Sequence, residues 1–273
     1  MPETNKQIEE HEVHERSSPS GKIVYKAISK EGEEELERSS SALFWSGLAA
    51  GLSMGFSMIA EGLLTSFLPD EHWRPLVAKF GYSAGFLIVI LGRQQLFTEN
   101  TLTPILPFLQ KKAKATIANV LRLWSIVLVA NLIGALLVAL VAALTNIFDP
   151  DVRHAFSEMG NKAIEPGFGL ILLRGIFAGW LIALMVWLLP FAETARVWVI
   201  IILTYLIGIG HMSHVIAGAV EVFTFAAMGG TSWGAALGGF ILPALIGNVI
   251  GGVTLVAMLN HAQIVSGEGG QDV

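Results

Sequence analysis

The chain has 273 residues, 53% of them hydrophobic and 14% charged, with no cysteine. A soluble domain typically carries about 25% charged residues, so the composition excludes an ordinary soluble fold. The lack of cysteine excludes a disulfide framework and a thiolate metal site. The net charge of −5 says little, because in a membrane protein the location of charge matters more than its sum.

Residues 1–40 are rich in Glu, Lys, Ser and His and read as a polar cytoplasmic tail, disordered or loosely helical, in which EGEEELERSS is long enough for one short helix. No basic n-region leads into an apolar core, so no cleaved signal peptide is expected. Six apolar segments follow, and a helix needs about 20 residues to cross a bilayer. They run Ala42–Leu68, Val77–Leu91 with a resumption through Leu109, Ile117–Leu144, Phe168–Leu189, Val197–Met228 and Trp233–Leu259, joined by short polar loops. Residues 41–261 are thus one six-span domain, and residues 262–273 a short cytoplasmic tail.

Lys and Arg cluster in the N-terminal tail, in the second-to-third connection (Lys111, Lys112, Lys114, with Arg122 just beyond) and at Arg196. The opposite side has only Arg74, Lys79, Arg153 and Lys162. Both termini are therefore expected in the cytoplasm.

Two spans are interrupted by polar residues. In Gly92–Pro107, GRQQLFTENTLTPILP, Pro104 and Pro107 rule out a plain helix. A re-entrant loop fits this stretch; a short second span with a polar end is the alternative. In Thr204–Phe225, which begins TYLIGIGHMSHVIAGAVEVF, three glycines surround His211, Ser213 and His214, with Glu221 seven residues beyond His214. Freed backbone groups survive at membrane depth only where protein or a water-filled cavity surrounds them, and titratable groups there mark ion or proton paths by default. Three readings of the histidines fit: His214 as a proton donor in a pore, His211 and His214 with Glu221 as metal ligands, or two packing histidines. The metal set is geometrically incomplete, so neither metal nor cofactor is expected. Glu61 and Glu221 are read as facing the protein interior, and Arg174 as snorkelling near the outer end of the fourth span.

A weak internal repeat relates the halves. Asn131-Leu-Ile-Gly134 matches Asn248-Val-Ile-Gly251 at an offset of 117 positions, which sets Phe97 on His214 and Thr98 on Val215. Gly47-Leu-Ala-Ala-Gly51 loosely matches Gly175-Ile-Phe-Ala-Gly179. Three spans per half is odd, so the halves must run in opposite directions. Inverted repeats with paired broken helices place a substrate site near mid-membrane.

LFT at Leu96–Thr98, a central histidine in a broken fifth span and PALIGNVIGG at Pro243–Gly252 resemble the formate/nitrite transporter family, and GHMSHVIAGAVEVF resembles its YfdC-type branch. The resemblance spans roughly Ser41–His261. It implies an all-α membrane protein of six spans with an aquaporin-like inverted repeat and broken second and fifth helices. It further implies a homopentamer in the bacterial inner membrane with a pore for formate, nitrite or related monovalent anions through each subunit. By resemblance the loop threonine is Thr98 and the central histidine His214. The constriction falls on Tyr82, Phe86, Leu96, Phe97 and Ile207, and the sixth-span asparagine on Asn248. His211, Glu221 and Arg174 are accessory candidates. Gly218 and Gly179 stand where the family pattern has Asn, Ile207 where it has an aromatic and Ser213 where it commonly has Glu. These departures are expected to remove polar groups and widen the pore.

The expected function is passage of a small weak-acid anion through apolar collars, assisted by His214, whose ordinary pKa of about 6.5 suits proton exchange. The partners are the anion, the bilayer and copies of the chain, with no nucleic acid. No nucleophile–base pair points to an enzyme. A non-transporting pentameric scaffold or sensor, using the N-terminal tail as its output, is the rival reading.

Overall fold

The computed structural model describes residues 20–111 and 113–268. Residues 1–19 and 269–273 of the expected tails, and Lys112 of the basic connection, lie outside the described residues. Every regular element among the described residues is helical.

Helix α1 (Gly21–Glu37) precedes the bundle. Helix α2 (Ser40–Phe67) starts at Ser39, whose hydroxyl accepts from the Ala42 N–H at 3.2 Å, satisfying a donor orphaned at the helix start. Helix α3 (Arg74–Leu91), which contains a 3-10 turn at Lys79–Tyr82, stops at Gly92. A looped segment then leads to the short α4 (Ile105–Lys111). The long α5 (Lys114–Leu144) is followed by α6 (Pro150–Ile164) and α7 (Gly167–Leu188). A second break separates α8 (Arg196–Ile209) from α9 (Val215–Ala227). Helix α10 (Ala235–Ser266) closes the bundle, with π-helical stretches at Ala235–Ile241 and Val253–Met258. The first π stretch lies just ahead of Pro243, which has no N–H to continue the α ladder.

Helices α2, α3, α5, α7 extended through Phe191, and α10 are long and apolar enough to cross a membrane. Helices α8 and α9, of 14 and 13 residues, are each about 20 Å long and span a hydrocarbon layer only as a pair.

Three expectations need correction. Residues 21–37 are not a solvated tail: Tyr25, Ile28, Ser29, Gly32 and Leu36 are buried along one face of α1. Arg122 clamps its C-terminal end by donating to Leu36 O at 2.7 Å and Arg38 O at 3.1 Å, where helix carbonyls lack partners. The tail was read by its charges, whereas its apolar and small residues recur at helical spacing and dock on the bundle. The loop between the third and fourth spans is also not simply polar. It contains α6, whose Val152, Ala155, Phe156, Met159 and Gly160 face inward; Pro150 at its start, Asp151 in its first turn and Lys162 in its last suit helix ends. Finally, α10 runs through Ser266, beyond the span end expected at Leu259.

The halves repeat in three dimensions. The most extensive helix contacts are α2 with α5 and α7 with α10, the first and third spans of each half. A side chain at Gly51 would strike the Asn131 backbone, and one at Gly179 the Asn248 backbone. These close approaches require glycine.

Candidate functional site

Each break begins with the same turn. After α3, Arg93 N–H donates to Ile90 O at 3.2 Å and Gln94 N–H to Val89 O at 3.0 Å. After α8, His211 N–H donates to Gly208 O at 3.2 Å and Met212 N–H to Ile207 O at 3.0 Å. These are Schellman turns, in which the first residue past the cap is left-handed and usually glycine. Here it is Arg93 at φ 53° and His211 at φ 50°.

One asparagine then secures each break. Asn131 Oδ1 accepts from Phe97 N–H at 2.9 Å, while its Nδ2 donates to Gly47 O at 2.7 Å and Gln95 O at 2.9 Å. Asn248 Oδ1 accepts from Val215 N–H at 2.9 Å, while its Nδ2 donates to Gly175 O and Ser213 O, both at 2.8 Å. The correspondence fixes the register. The asparagines are 117 positions apart, but the breaks they hold are offset by 118, so Leu96, not Phe97, is the counterpart of His214. The sequence alignment slips by one because a single residue separates the asparagine offset from the break offset.

His214 is the N-cap of α9, with Nδ1 accepting from Ala217 N–H at 3.1 Å. Its Nε2 lies 2.7 Å from Thr98 Oγ1. The Phe86 ring meets the imidazole edge to face, centroids 4.9 Å apart, and Tyr82 lies 5.4 Å from Phe86. Leu96, Phe97, Phe86 and Thr98 are all buried, and none of them lines the α6-side or the α1-side cavity described below. Phe97 packs edgewise on Trp124, which donates to Asn100 O at 2.8 Å.

The α6-side cavity, about 420 Å³, has His214, Tyr82, Ile207 and Phe240 at its deep end and His211, Arg174 and Lys162 among its walls. Arg174 therefore lines this cavity, whereas the sequence suggested snorkelling toward the interface. His211 and His214 lie on either side of the break and do not share a helical face. Among the described residues no three His, Asp or Glu side chains are placed to hold a metal ion, so the three-ligand reading of His211, His214 and Glu221 has no geometric basis. At the glycine departures, Phe240 is seated against Gly218, which lines this cavity, and Gly179 lies in the α7–α10 crossing, away from the cavity wall. Glu61, read from the sequence as facing the interior either paired or protonated, pairs with Lys79 at 2.5 Å.

The α1-side cavity, about 390 Å³, is lined by the face of α1 and by Arg93, Gln94, Gln95, Glu99 and Thr103. Glu35 of α1 accepts from Gln95 Nε2 at 3.0 Å and from the Thr103 hydroxyl. Glu31 pairs with Arg93 at 2.7 Å. Burial pushes the Glu35 carboxyl above the ordinary carboxylate range, against the opposing pull of the Thr103 and Gln95 hydrogen bonds. Sequence reading missed Glu35 because it assigned that stretch to solvent. The signal was present in the spacing of Tyr25, Gly32 and Leu36.

The chain is similar to known proteins along most of its length. The formate/nitrite transporter family matches residues 22–262. The chain is 39% identical over 254 residues to the inner membrane protein YfdC of Escherichia coli (strain K12), covering 93% of this chain and 82% of that protein. It is 24% identical over 248 residues to the formate channel BtFdhC of Bacillus thuringiensis, covering 88% and 93%. A solved structure described as an FNT family ion channel superposes with a TM-score of 0.74 at 20% identity, covering 87% of this chain and 97% of that one. A pentameric formate channel with formate bound does so with a TM-score of 0.70 at 20% identity, covering 83% and 98%. The superpositions give this chain the fold of these channels, and the extent of the family match makes it a multi-pass membrane protein that belongs to the formate/nitrite transporter family.

Proposed function

We propose that the protein is a pore for small monovalent weak-acid anions such as formate or nitrite, with the Thr98–His214 pair assisting permeation at its narrowest point. The observation that carries this reading is the placement of that pair. His214 forms the deep end of the α6-side cavity, and Thr98, buried behind it, joins it to the loop that walls the α1-side cavity. Around it Phe86, Leu96 and Phe97 form an apolar collar. A bare anion in such a collar is heavily penalised, and a neutral or hydrogen-bonded one much less so.

The formate channel among the relatives and the formate channel among the solved structures support the substrate class. The pentamer of the latter supports a homopentamer with a pore in each protomer. The name of the Escherichia coli relative supports an inner-membrane location. Lysine and arginine placement puts α1 and both termini on the cytoplasmic side, so the α6-side cavity opens outward. The function is transport rather than catalysis.

Purified protein in proteoliposomes is expected to pass formate or nitrite. His214→Asn is expected to lower that flux by roughly 100-fold, the scale for removing a preorganised polar group at a critical point. Unchanged flux in the variant refutes the role of His214.

A further inference from the structure

His214 has no proton to spare. A backbone N–H only donates, so Nδ1, 3.1 Å from Ala217 N, is an acceptor. The ring hydrogen is therefore on Nε2 and points at Thr98 Oγ1, 2.7 Å away. A second proton would have to enter at Nδ1, against the Ala217 N–H, and would undo the cap of α9. Thr98, accepting from the imidazole, is left with its own O–H to offer a solute. The pair is thus a hydrogen-bond donor of fixed polarity, and any proton given to a passing anion must come from another group.

The α6-side cavity contains such a group. Glu61, reaching in from α2, is buried; one oxygen pairs with Lys79 and the other, Oε2, has no partner although it is enclosed. Glu221 lies seven residues beyond His214 on α9, two turns or about 10 Å along the helix. It lines the same cavity and takes part in no hydrogen bond or ion pair among the described residues. Arg74, Lys79 and Tyr82 line the cavity from α3, Glu158 and Lys162 from α6, Glu165 from just after α6, Arg174 from α7 and His211 from the break. Lys162 and Glu158 pair at 3.8 Å, and neither α5 nor α10 adds a titratable side chain to the wall. Lys79 is near enough to act on Glu221, but its single charge is already matched by Glu61. An ionised Glu221 would also repel the anion that Arg174 attracts. A protonated one would instead offer it both a hydrogen bond and a proton.

We propose, on the basis of the transport reading above, that Glu221 is the proton donor of this cavity, loading a weak-acid anion before it enters the collar. The Glu221 O–H bond breaks as a bond forms from that hydrogen to an oxygen of the anion, leaving a carboxylate and a neutral acid. The neutral acid passes the collar past the Thr98 hydroxyl and releases its proton to water in the α1-side cavity. Hydronium from the α6-side water reprotonates Glu221. Inward passage thus carries one proton with each anion.

The test uses the full chain in proteoliposomes with formate as substrate and a trapped pH dye as readout. The wild type is expected to acidify the lumen faster as the pH on the α6 side falls. Glu221→Gln is expected to run about 100-fold slower, the scale of general-acid assistance, and to lose its pH dependence. Glu221→Asp keeps the dependence at a reduced rate, which separates lost chemistry from misfolding. Thr98→Val lowers flux at every pH without changing the shape of the profile. A wild-type profile in Glu221→Gln, or a flat one in Thr98→Val, overturns the proposal. Infrared difference spectra of substrate-free protein give a readout that does not depend on flux. A protonated-carboxyl band present in the wild type and lost in Glu221→Gln supports the assignment, and the absence of that band in the wild type refutes it. Wild-type protein that passes no formate or nitrite refutes the transport reading, and the infrared band still judges Glu221.

Discussion

Asn131 and Asn248 each satisfy two backbone groups that the breaks strip from the helical ladder and also donate to one carbonyl of a neighbouring helix. Each buried group left without a partner destabilises by about 1–3 kcal/mol. Asn248→Leu is therefore expected to destabilise the protein by on the order of 3 kcal/mol or more, read as a lowered thermal midpoint in detergent, with Asn131→Leu similar. The left-handed positions act in the opposite sense. Non-glycine residues there cost about 1–2 kcal/mol, and at the end of α9 an equivalent turn does use glycine, Gly229 at φ 82°. His211→Gly is therefore expected to raise the thermal midpoint, by about 1 kcal/mol in stability. A lowered midpoint would show that the His211 side chain contributes more than its backbone strain removes. The asparagines were legible as a repeated Asn-x-x-Gly. The left-handed turns were not, because Arg93 and His211 are residues that seldom adopt that conformation.

At the scale of elements, α1 is the part whose attachment depends on pH. Its Glu35 carboxyl has a raised pKa in the folded protein because it is buried against Gln95 and Thr103. A raised acid favours the docked state in its protonated form. Docking is thus strongest below the ordinary carboxylate range and weakens as pH rises through the raised value. Hydrogen exchange of the α1 amides, corrected for the intrinsic effect of pH, is expected to quicken with rising pH in the wild type. Glu35→Gln should remove that trend; its persistence would show that another group controls docking. Residue charge alone placed this segment in solvent. What overrides it is a narrow face of small and apolar residues, together with the Arg122 clamp on its last carbonyls. That clamp joins residues far apart in sequence and so left no local trace.

In the whole molecule, the two repeated halves bring their breaks together, so that a threonine from one reaches a histidine from the other. The apolar surface of the long spans, with Trp45, Phe56, Leu121, Phe177 and Trp198 exposed, suits lipid or neighbouring copies of the chain. The amino-acid sequence by itself determined the membrane class, the apolar spans, the positions of both breaks and the family, because hydropathy and helix-breaking residues act locally. Only the tertiary structure decided the one-residue shift that pairs Leu96 with His214, the Lys79–Glu61 pair, the filling of the Gly218 space by Phe240 and the docking of α1. Each of these depends on which surfaces meet when distant segments pack, and contacts of that kind are set by the crossing of helices rather than by the pattern along any one of them.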